Sequence, residues 1–155
     1  MSSAAFLSAV TKICMQYTKR KLYAGTIPQK ILNNVYAHYT VPREERVIAV
    51  LDFTLLGSGK DGVAITDSGL YWKLLRERTF ISWEELEGVE EIRPEGKWKV
   101  DLGRGMVFEI VGSPLSNEEM ARFLQKVVNA LQGNGEEAEE DGDTEQGSGR
   151  FAGRA

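Results

Sequence analysis

Cysteine and histidine, the side chains most used for metal ligation and nucleophilic catalysis, occur once each in 155 residues, as Cys14 and His38. A lone cysteine excludes an internal disulfide and any zinc site built from cysteines, and it suits a reducing compartment. Any Ser–His or Cys–His pair would have to use His38, and no Gly-x-Ser-x-Gly elbow occurs, so nucleophilic hydrolysis has no support. No apolar run approaches the ~18–20 residues that cross a bilayer as a helix. Met1-Ser2-Ser3-Ala4-Ala5 has neither a basic start nor a clean cleavage pattern, so a secretory signal is not expected. The location these absences suggest is the cytoplasm, with peripheral membrane attachment as the alternative.

What is present is ordinary in amount and uneven in placement. A hydrophobic share of 42% with 27% charged residues is enough for one core in a chain of this length. The net charge of −4 belongs to the end of the chain: residues 133–155 hold seven acids and two arginines, leaving 17 basic and 16 acidic residues elsewhere. A near-neutral body lacks the basic stripe that neutralises phosphates, so nucleic acid is not an expected partner. The acidic segment has almost no large apolar residue and reads as a disordered tail.

The periodicity predicts a helix over residues 3–22, with Phe6, Val10, Ile13 and Tyr17 on one stripe. Ser2 or Ser3 would cap its start, and Lys19, Arg20 and Lys21 would close its negative end. A second helix is predicted from Ile27 to about Tyr39, entered through a Thr26/Gln29 capping box with Pro28 in the first turn. From Val47 the period changes to two. Val47, Ala49, Leu51, Phe53 and Leu55 alternate, and Ile48 and Val50 make the other face apolar too, so this strand should be covered on both sides. Further strands are expected at residues 63–66, 70–74, 79–83, 89–92, 98–102 and 106–110, with a turn of helix at Glu84-Glu85-Leu86. Ser116 and Glu119 form a capping box before Met120, Phe123, Leu124, Val127, Val128 and Leu131, a cleanly amphipathic helix that Gly133 stops.

Two strings carry a resemblance. Leu51-Asp52-Phe53-Thr54 followed by Gly57-Ser58-Gly59-Lys60-Asp61-Gly62 and Thr66-Asp67-Ser68-Gly69-Leu70-Tyr71-Trp72 resembles the first three strands of a bacterial pleckstrin-homology-like family. Ile81-Ser82-Trp83-Glu84-Glu85-Leu86 is similar to that family's next strand and turn. The resemblance implies an α+β fold: a seven-stranded antiparallel barrel over residues 44–132, plugged by the final helix. Residues 1–43 would form an N-terminal helical extension. Many members of the family are accessory modules, which implies a non-catalytic adaptor that binds a protein partner or itself.

No segment demands chemistry, and an enzyme with an unrecognised site stands as the last alternative to the adaptor and the lipid-binding readings. Gly57 to Gly62 lacks the Ser or Thr after lysine and the following helix that a phosphate-binding loop needs, so it reads as a β-turn. The pairs Glu44-Glu45, Glu84-Glu85 and Glu90-Glu91 read as solvated turns, and Trp72, Trp83 and Trp98 as barrel core rather than a binding surface. No cofactor and no metal is expected. Two basic groups are the candidate sites: Lys60, Lys73, Arg76 and Arg78 for a ligand or an anionic lipid headgroup, and Lys19, Arg20 and Lys21 for contact with a membrane or a partner.

Overall fold

The computed structural model describes residues 4–133. The expected caps at Ser2 and Ser3, and the acidic tail beyond Gly133, lie outside the described residues. The elements run α1 (Ala4–Gln16), β1 (Leu22–Ala24), α2 (Gln29–His38), β2 (Val47–Asp52), β3 (Gly62–Thr66), β4 (Gly69–Leu74), β5 (Glu77–Ser82), α3 (Trp83–Glu87), β6 (Arg93–Glu95), β7 (Lys99–Asp101), β8 (Val107–Glu109) and α4 (Asn117–Leu131). The class is α+β, as the residue pattern implies. The strands form two antiparallel sheets, a five-stranded one in the order β1 to β5 and a three-stranded one of β6, β7 and β8. There are thus eight strands among the described residues, not seven, and they do not close into a barrel.

Two local events account for the difference. The helix expected over residues 3–22 stops at Gln16. Lys19-Arg20-Lys21 make a tight turn, closed by the Leu22 N–H on the Lys19 carbonyl at 3.0 Å, with Lys21 at φ +72°. These cations therefore do not cap a helix; they swing the chain so that Leu22 pairs with Leu51 and adds β1 to the sheet edge. The second event follows β5. The Ser82 side chain caps Glu85 N–H and the Glu85 carboxylate caps Ser82 N–H, so α3 starts at once and leads the chain off the sheet. Residues 89–92, expected as a strand, are loop. Val89 and Ile92 are still buried, but their backbone is satisfied by α4 side chains. Ile92 N–H donates to Gln125 Oε1 at 2.9 Å, and Gln132 Nε2 donates to the Val89 carbonyl at 3.1 Å.

The cross-strand register sorts the five-stranded sheet into two apolar faces. Tyr23, Val50, Ala64, Tyr71 and Phe80 are successive partners on one face. There α2 covers Val50, Ala64 and Tyr71 with Ile31, Val35 and Tyr39. This helix begins at Gln29 rather than Ile27. Thr26 N–H bonds the Ala24 carbonyl, no side-chain cap forms, and Gln29 bonds Asn33 instead of closing a capping box. Leu22, Leu51, Val63 and Trp72 line the opposite face, toward the main core with α1 and α4. The expected two-sided cover of the first long strand is thus present.

The final helix forms as read. Ser116 and Glu119 make the reciprocal capping box, and Met120, Phe123, Leu124, Val127 and Val128 are buried. Each such side chain contributes on the order of 1.5–3 kcal/mol by leaving water. Tyr17 meets Phe123 edge to face at 5.2 Å, so the main core spans residues from both sides of position 43. Gly62 shows how tight the sheet is: at φ +145°, a Cβ would lie 1.9 Å from the Leu51 carbonyl oxygen.

Candidate functional site

Where a barrel would have sealed, the two sheets leave a cleft of about 910 Å³ between β4–β5 and β8. Its floor is built by one aromatic contact. The Trp72 ring lies on Phe108, centroids 4.7 Å apart and planes 17° apart, and Trp72 Nε1 donates to the Glu109 carbonyl at 3.2 Å. That contact joins the sheets without pairing their strands. The rim carries Leu75, 74% exposed, and Val107, 41% exposed. β5 pairs only with β4, and β8 only with β7, so each presents a strand edge with no sheet partner among the described residues. An apolar floor beside unpaired backbone donors and acceptors is the arrangement that receives an extended peptide as an added strand.

The basic residues named from sequence gather at one end of the five-stranded sheet, but not around one pocket. Lys73 is buried and its Nζ lies 2.5 Å from Asp61 Oδ1, which also accepts the Leu75 N–H at 3.2 Å. Arg78 Nε donates to the His38 carbonyl at 2.7 Å, placing a cation at the C-terminal end of α2. Lys60 and Arg76 are exposed, and neither forms an ion pair among the described residues. Lys19 pairs with Glu119 at 2.8 Å, and hydrogen bonding to Lys19 is the largest reason the Glu119 carboxyl is held below the usual glutamate range. Lys21 Nζ donates to the Thr54 carbonyl, and Arg20 is exposed.

The glycine-rich loop spends its amides on itself. Thr54 Oγ1 accepts Ser58 N–H at 2.8 Å, and Asp52 Oδ1 holds both Thr54 N–H (2.9 Å) and Thr54 Oγ1 (2.6 Å). A strand follows, as a plain turn requires. Glu45 is part of a half-buried network, accepting from Tyr71 Oη at 2.9 Å and Thr66 Oγ1 at 3.0 Å. Burial first, then the Glu45 hydrogen bond, push the Tyr71 phenol above its ordinary range. Trp72 and Trp83 are core residues as expected, but Trp98 is 52% exposed: its strand is shorter than the alternation suggests and begins at Lys99.

Sequence reasoning missed the cleft because residues 70–74 and 106–110 read as strands of one closed barrel. The one available signal was the run Arg76-Glu77-Arg78-Thr79, a polar start to β5 that marks an edge left to solvent. In comparisons with family models, curated proteins and solved structures, nothing matches this chain.

Proposed function

We propose that this chain is a non-catalytic docking module that receives an extended segment of a partner protein in the cleft between its two sheets. The supporting observation is the apolar floor of Trp72 and Phe108 lying between two strand edges without sheet partners. Main-chain pairing would supply affinity, and alternate side chains of the guest would meet Leu75, Val107 and Phe108. Kinship with bacterial pleckstrin-homology-like modules, with the barrel opened into two sheets, belongs to the same reading, as does a cytoplasmic role as an adaptor. Panning a random peptide library on the full chain tests it. Enriched peptides should alternate apolar and polar residues, and Val107→Asp should weaken their binding by about tenfold or more, a hot-spot-sized effect. Absence of enrichment, or binding indifferent to both Val107→Asp and Leu75→Asp, would rule the cleft out. Concentration-dependent sedimentation that Val107→Asp abolishes would identify the guest as a second copy.

A further inference from the structure

Leu55, Leu56 and Leu75 stand 91%, 90% and 74% exposed at the same end of the five-stranded sheet, where β2 ends, β3 begins and β4 turns into β5. An apolar loop tip usually folds back on the surface. This one is braced from both sides. Thr54, before the leucines, is fixed by Asp52 and receives Ser58 N–H; Ser58, after them, accepts from Asn34 Nδ2 of α2 at 2.7 Å. The next residue, Gly59, sits so close to Ile31 that a Cβ would meet its Cδ1 at 3.0 Å. Leu55 and Leu56 are therefore held away from the body as a rigid crest. Leu75 is tied to the same loop through its N–H on Asp61, and it occupies a left-handed turn at φ +58°.

The turns at this end also carry cations. Lys21 is hydrogen-bonded to the Thr54 carbonyl at the base of the crest, Arg20 precedes it in the same turn, Lys60 lies on the descending limb, and Arg76 follows Leu75. The acids of these loops are largely occupied: Asp61 is paired with Lys73, and Asp52 is fully buried, leaving Glu77 exposed. We propose that this end of the molecule is a membrane-docking wedge. Leu55, Leu56 and Leu75 enter the boundary between headgroups and acyl chains of an anionic bilayer, while the exposed Arg20, Lys60 and Arg76 lie against its phosphates. A convex apolar crest with positive charge behind it complements a surface that is anionic outside and apolar beneath; the concave cleft does not. Lys73 is buried against Asp61, and exposed Arg78 gives its Nε to the His38 carbonyl, so no pair of free cations frames a headgroup pocket and binding depends on total anionic charge. Leu75 and Arg76 also line the rim of the cleft, whereas Leu55 and Leu56 do not, so the leucine pair tests this inference separately from the peptide-docking reading.

The test is co-sedimentation of the full chain with phosphatidylcholine vesicles, with and without phosphatidylserine. The wild type should bind only the anionic vesicles and release as salt rises. The double substitution Leu55→Ser with Leu56→Ser should lower vesicle affinity at least tenfold with an unchanged melting temperature and unchanged capture of library peptides. Arg20→Ala with Lys60→Ala should also weaken anionic binding. An environment-sensitive dye on Leu55→Cys should shift to the blue on adding vesicles, Cys14 being buried away from the label. No binding of the wild type, indifference to the leucine pair, or a dye that does not shift would each overturn the wedge. So would preference for one phosphoinositide isomer over another of equal charge.

Discussion

Leu75 bears two costs at once. A left-handed φ of +58° disfavours a branched aliphatic residue by roughly 1 kcal/mol, and its side chain is 74% exposed. Strain kept at an exposed position points to use rather than packing. Leu75→Gly should leave the melting temperature equal or slightly raised, because relief of strain offsets glycine's greater unfolded freedom, while peptide capture weakens. A clear drop in melting temperature would show that Leu75 serves the fold instead. Lys73 presents the opposite case, a cation inside the structure. Lys73→Met should cost about 1–3 kcal/mol in urea titration by stranding Asp61, and adding Asp61→Asn should recover part of it; equal losses would show that the pair is not coupled. Cys14 has no exposed surface, and burial pushes its thiol up to about 12. A thiol reagent at mildly alkaline pH should label it only after unfolding. Of these features, the place of Cys14 in the first helix, beside Ile13 of its apolar stripe, was legible in the sequence. The Lys73–Asp61 pair was not, because it depends on the register that sets Gly62 opposite Lys73.

Among the elements, α4 follows most directly from its residues. Ser116→Ala should cost about 1 kcal/mol by removing the cap. Glu119 of the same box is held below the ordinary glutamate range, first by Lys19 and then by the Ser116 N–H. A depressed carboxyl stabilises the fold above its unfolded-state pKa, and that contribution fades as pH falls through the folded value. Chemical denaturation across the acid range should therefore show a shallower acid decline for Glu119→Gln than for the wild type. An unchanged slope would place the acid sensitivity elsewhere. The first helix was half legible. Its apolar stripe is there, but the basic run that looks like a helix end is a turn, because Leu22 gains more by pairing with Leu51 than one more helical turn would offer at an exposed edge. The Thr26/Gln29 box failed for a related reason: Thr26 N–H is taken by the carbonyl that ends β1.

For the whole molecule, one core joins α1, the five-stranded sheet, α4 and parts of the smaller sheet. Phe123, fully buried at its centre, is the position whose loss should be felt most widely; Phe123→Ala should cost about 3–5 kcal/mol in global stability. Little change in its unfolding midpoint would contradict the core described here. The amino-acid order alone determined the α+β class, the hairpins at Asp67-Ser68-Gly69 and around Arg76, and the capped amphipathic helix at the end, because each follows from interactions within a few residues. Whether the strands would close was decided only in three dimensions. After β5 the α3 capping box takes the chain off the sheet, and Gln125 of α4 with Gln132 at its C-cap satisfy the Ile92 N–H and the Val89 carbonyl that a continuing strand would have paired. Those partners lie more than thirty residues apart in the chain, beyond the reach of periodicity, and their contact is what holds residues 89–92 as loop instead of strand.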